Sequence, residues 1–145
     1  DPPEFRIQIL HEADRLLNEG NIQLATQLYQ QSLTDEELRL WLDDEEDLLT
    51  SYAMFKLLIA RSTISPEEAL LVYERIAETF PDPEQTTIYI QMTQIYWDAL
   101  QVTGDVRQAC AEIRTFAAQN TSSVDLINRY GNRSPVYTPA DMCPF

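Results

Sequence analysis

Few side chains in this sequence are equipped for chemistry. His11 is the one imidazole, flanked by Leu10 and Glu12. A general base needs an oriented partner and a nucleophile, and no Ser or Cys stands in a nucleophile-elbow or thiol-protease context. Acidic side chains number twenty-four, so a carboxylate pair at a useful separation is expected by chance, and nothing distinguishes one pair from another. The densest run is Asp43-Asp44-Glu45-Glu46-Asp47. Several carboxylates together can attract a basic partner or a divalent cation. No Asp-x-Asp-x-Asp-Gly loop accompanies the run, and acids of this kind are also favoured before and within a first helical turn. The residues therefore predict no catalytic centre, no metal site and no cofactor.

Cys110 and Cys143 leave two alternatives. They are either buried free thiols or a disulfide. A bond would explain why a tail punctuated by Pro135, Pro139 and Pro144 also carries Val136, Tyr137, Met142 and Phe145: the bond would clamp this strap across the last helices. In the chain-entropy model, closing such a loop stabilises by about 4 kcal/mol. If the bond forms, the expected setting is extracytoplasmic, periplasmic or secreted; otherwise it is cytoplasmic.

Helical periodicity dominates the rest of the chain. The apolar set Phe5, Ile9, Ala13, Leu16, Leu17 follows steps of three and four, and Gly20 supplies a left-handed stop. Asn21 then precedes a second helix striped by Ile22, Ala25, Leu28, Tyr29 and Leu33. Thr34-Asp35-Glu36-Glu37 has capping-box form and opens a short helix through Leu38, Trp41 and Leu42. A further helix over 45–61 carries Leu48, Leu49, Tyr52, Phe55, Leu58 and Ile59. Ser65-Pro66-Glu67-Glu68 is the clearest start signal, and Asp82-Pro83-Glu84-Gln85 repeats its grammar. The helices they open are followed by Pro81 and Gly104 respectively. Asp105 caps a helix with Val106, Ala109, Ile113, Phe116 and Ala117, and a short one over 124–129 precedes the tail. Residues 1–131 thus form one helical domain, with 132–145 as a strap packed on it.

Composition narrows the partners. Ten Lys and Arg against twenty-four acids leave a net charge of −14, a field that repels nucleic acid and anionic lipid heads. Three Gly in all disfavour a hairpin-rich β fold and glycine loops for phosphates. No apolar run reaches the roughly 18 residues of a bilayer span, so no membrane insertion is expected. The start on Asp1-Pro2-Pro3, without Met, reads as a processed or trimmed end.

Two glycines each stand five residues before an alanine, Gly20 before Ala25 and Gly104 before Ala109. Aligned on Ala25, Ala69 and Ala109, three helical hairpins follow one another. The second helices of the first two have Tyr29 and Tyr73 four residues on, and Pro81 follows the middle one. In this the chain resembles the tetratricopeptide repeat family across roughly residues 5–119. It departs in having Ile113 in place of the third aromatic, Ile64 at the middle turn, and longer spacings between units. The resemblance implies an all-α array of antiparallel hairpins whose first helices line a groove. Carried over by position, that face holds Leu10, Asp14 and Leu17, then Met54, Leu58 and Arg61, then Gln91, Gln94, Asp98 and Gln101. The last four form a polar stripe suited to hydrogen bonding with an extended peptide. The expected function is non-catalytic binding of a protein or peptide. The alternatives are an acidic regulator or inhibitor masking a basic partner, and a small-ligand carrier or enzyme with a pocket between helices.

Overall fold

The turns are set by residues that tolerate unusual backbone geometry. Gly20 and Gly104 have φ of +86° and +64°, values that cost side-chain-bearing residues roughly 1–2 kcal/mol. At the end of α1 (Pro2–Asn18) the Gly20 N–H donates to the Leu17 carbonyl at 3.1 Å and the Asn21 N–H to that of Leu16 at 2.8 Å. This paired closure is a Schellman motif, and it turns the chain into α2 (Ile22–Thr34). Gly104 closes α5 (Ile88–Thr103) with a single bond to the Leu100 carbonyl, 2.7 Å. The Asp105 carboxylate then accepts from the Arg107 N–H at 2.8 Å and starts α6 (Val106–Gln119). The middle turn uses no glycine. After α3 (Glu46–Ser62), Ser65 is extended and its hydroxyl accepts from the Glu68 N–H at 3.2 Å, with Pro66 opening α4 (Pro66–Thr79).

A computed structural model describes residues 2–34, 46–81, 87–120 and 142–145, with side chains from residue 8 in α1 and residue 49 in α3. Among the described residues there is no strand, and the fold is an all-α array of helical hairpins. The short helices expected through Leu38, Trp41 and Leu42 and over 124–129, the acids at 43–45, and most of the strap lie outside the described residues. The start signal at Asp82-Pro83-Glu84-Gln85 lies outside the described residues as well. Helix α5 runs from Ile88, where Thr87 is extended and its hydroxyl accepts from the Ile90 N–H at 3.2 Å. The same hydroxyl donates to Ser51 Oγ at 2.7 Å, tying the start of α5 to α3.

Helix α3 is the axis of the array. It packs against α2, α4 and α5, and touches α1. Leu49 and every residue from Ser51 to Ala60 are buried, so this stretch is enclosed on all sides instead of showing the half-apolar face its periodicity suggests. Ala25, Ala69 and Ala109 are all buried as well. Their small side chains allow the close helix approach that three stacked hairpins require. A single core cluster takes residues from all six helices and ends on Met142 and Cys143 of the strap.

Two buried hydroxyls, those of Thr26 and Tyr96, lack a hydrogen bond among the described residues. Ser62 lies near the Tyr96 phenol, yet its hydroxyl donates to the Leu58 carbonyl at 2.6 Å. Burial pushes the Tyr96 phenol up to about 12, with Ser62 only partly opposing the shift. The folded chain therefore keeps a proton that the unfolded chain, with a tyrosine pKa of about 10, releases. Stability from this group is complete below about pH 10 and is lost as pH rises toward about 12, up to about 3 kcal/mol. Urea titrations across that range should show this loss in the native chain, and Tyr96→Phe should flatten it.

Candidate functional site

The polar stripe of α5 borders an opening in the surface. Between α4 and α5 lies a cleft of about 340 Å³, with Ile76, Phe80 and Ile90 among its apolar walls and Tyr73, Gln91 and Gln94 at its edge. The Tyr73 ring stacks on Trp97, centroids 4.3 Å apart and planes within 9°. That stacking aims the phenol along α5, where it donates to Gln94 Oε1 at 2.9 Å. Gln94 in turn donates from Nε2 to Asp98 at 2.8 Å. The Gln94 amide is thus oriented from both ends, and a preset amide loses less freedom on binding. Gln91, Gln94, Asp98 and Gln101 are all exposed. Gln91 and Gln94 line the cleft, Asp98 joins it through Gln94, and Gln101 lies a further turn along the helix.

Arg61 faces a different concavity. With Met54 and Leu57 it belongs to a groove of about 260 Å³ between α2, α3 and α4. It donates to Glu68 at 2.6 Å across the α3–α4 turn. Other residues expected on a binding face are not there. Leu10, Leu17 and Leu58 are core side chains, and Asp14 is 4% exposed. The cause is that α1 and α3 are covered on faces that an open array would leave to solvent. Met54 is 5% exposed and serves only as groove floor.

Asp14 instead anchors a charge pair in the core. Its carboxylate accepts from the Tyr29 hydroxyl and, at 2.5 Å, from that of Tyr52. Lys56, fully buried, brings Nζ to 3.6 Å from Asp14 Oδ1 and 6.0 Å above the Tyr52 ring. Tyr52 packs edge-on against Tyr89, centroids 5.0 Å apart. A buried charge is tolerated only when paired and hydrogen bonded, and this arrangement meets that condition for both ions. Sequence reasoning missed the pair, although a signal was present. Lys56 is the only lysine among ten basic residues, and it interrupts an apolar run from Ala53 to Ala60.

The strap completes this region. Cys110 and Cys143 are joined as a disulfide, with Cα atoms 5.2 Å apart, within the usual range. Arg114, one turn beyond Cys110 on α6, donates to the main-chain oxygens of Cys143 at 2.9 Å and Phe145 at 2.8 Å. Lys56 Nζ reaches the Met142 carbonyl at 3.4 Å. The strap is therefore held by a covalent bond, a guanidinium and the buried ammonium together.

His11 is half-buried on α1. Among the described residues no three His, Cys, Asp or Glu side chains gather as a metal ion would need, and no helix is long and apolar enough to cross a membrane. No protein-family model matches this chain, and comparisons with curated proteins and with solved structures give no significant match.

Proposed function

We propose that this chain is a non-catalytic, tetratricopeptide-like domain that binds a peptide or an exposed segment of a partner protein in the cleft between α4 and α5. The observation that supports this most is the pairing of an apolar recess with an oriented Gln94 amide at its edge. An apolar side chain of the partner fills the recess, while the amides of Gln91 and Gln94 hydrogen bond to its main chain. A volume of about 340 Å³ is ample, since a cavity of about 150 Å³ already holds benzene. The disulfide supports an oxidising compartment.

Selection from a displayed library of random peptides tests the proposal. Peptides retained by the native chain should carry an aromatic or aliphatic anchor. Their affinity should fall by about tenfold or more in a chain carrying Tyr73→Ala and Gln94→Ala, because two hydrogen bonds and a stacked wall are lost. Gln94 is exposed and Tyr73 only half-buried, so the variant should keep its helical spectrum. Binding indifferent to this variant, yet collapsing with added salt, would favour the acidic-regulator alternative, in which the net charge of −14 does the recognising.

A further inference from the structure

The second groove has a chemical character opposite to that of the chain as a whole. Its floor is apolar, built from Leu33, Met54, Leu57 and Val72, and Leu71 stands on its wall 65% exposed. Arg61 and Arg75 both line it, with Glu68 as the one acid among the described residues. Arg61 is committed to Glu68. Arg75, one turn past Leu71 on α4, is exposed and makes no ion pair among the described residues. Two arginines against one acid make this groove locally cationic on a surface of net charge −14. At physiological salt, charges farther than about 8 Å are largely screened, so the side chains lining the groove dominate what a ligand feels there.

We propose that this groove docks an acidic amphipathic segment of a partner protein, with a Leu- or Phe-like side chain on the floor and an Asp or Glu carboxylate on Arg75. The guanidinium fork matches a carboxylate in geometry and charge, and it remains available because no internal acid occupies it. Two features favour a peptide over a free fatty acid. The groove is open along Leu71, which would leave an alkyl chain half in water. Gln30 and Glu68 at its edge offer acceptors for main-chain N–H groups, which an acyl chain lacks. The proposal is independent of the α4–α5 cleft, since among the described residues the two concavities share only Ile76.

The same displayed-peptide selection, read with a second variant, tests it. Peptides whose retention is unchanged by Tyr73→Ala with Gln94→Ala should be enriched in Asp or Glu beside Leu or Phe. In fluorescence anisotropy, Arg75→Glu should weaken such a peptide by about tenfold or more, and replacing its acid with Lys should restore binding to that variant. Leu71→Asp should weaken it in the native background, and both exposed substitutions should leave the helical spectrum unchanged. Recovery of no such peptides, equal binding of acidic, neutral and basic versions, or indifference to Arg75→Glu would each overturn the proposal. Displacement of the peptide by palmitate at the same residues, with the acyl chain binding tighter, would overturn it in favour of a small amphiphile. Failure of the cleft variant alone to affect any peptide would sink the cleft and leave this groove standing.

Discussion

Replacing Lys56 with Met should destabilise the chain by about 3–5 kcal/mol, although the two side chains are close in length and Met is the more apolar. The ammonium is fully buried 3.6 Å from Asp14. Removing it leaves the Asp14 carboxylate in the core with only the Tyr29 and Tyr52 hydroxyls to satisfy it. Asp14→Asn should also destabilise, because Lys56 Nζ loses the carboxylate 3.6 Å away. The double variant should be less destabilised than the sum of the two, with an interaction energy of about 1–3 kcal/mol, since neither buried charge then remains. Urea denaturation of the four proteins measures this directly. In a chain of this size the single substitutions should lower Tm on the order of 10 °C. Additive single effects would mean that the pair is not energetically coupled, whatever its separation.

Reducing the Cys110–Cys143 bond should have an effect of comparable size. The bond links residues 33 apart in sequence, and the chain-entropy model puts its contribution at about 4 kcal/mol. The loss should reach beyond the strap. Met142 supplies a carbonyl to Lys56, and Arg114 holds the Cys143 and Phe145 oxygens. Freed of the covalent bond, the described end of the strap keeps these hydrogen bonds and the burial of Met142 and Cys143. Dithiothreitol should therefore lower the urea midpoint of the native chain. A variant carrying Cys110→Ala and Cys143→Ala should start lower and show no response to the reductant. Hydrogen exchange should quicken at residues 142–145 and in the facing turns of α6 before it does in α1 and α2. An unchanged midpoint on complete reduction would assign the strap's stability to its non-covalent contacts.

These two features show where sequence was informative and where it was not. Ser65 with Pro66, Gly20, Gly104 and Asp105 are local signals. Each acts through the backbone within four residues, so each was legible and each is found at the helix end it announced. The alanines at 25, 69 and 109 were legible because close helix packing demands a small residue wherever two helices cross. Asp14 and Lys56 were not, because their pairing joins positions 42 apart through tertiary packing alone. Resemblance to an open repeat array assigned Asp14 to a binding face, whereas α3 is enclosed and draws that acid inward. The cap that starts the described α5, Thr87, carried no comparable local signal, since no Pro or Glu follows it in the first turn. The bond from Thr87 to Ser51 is a tertiary contact between positions 36 apart. The Gln91, Gln94 and Asp98 stripe was legible as polar spacing, but the recess beside it depends on Tyr73, Ile76 and Phe80 of α4. Those residues read as ordinary core positions in sequence, since an apolar helix face looks the same whether it is packed or left open.

The central claim is that α4 and α5 frame a peptide site. Two-dimensional NMR of the native chain titrated with a peptide from the cleft-dependent pool measures it most directly. Saturable shifts should concentrate on the Gln91 and Gln94 side-chain amides, the Trp97 indole and the main chain of Tyr73 and Phe80, and they should vanish with Tyr73→Ala and Gln94→Ala. A peptide that binds with those resonances unmoved, or that binds the variant equally well, would contradict it.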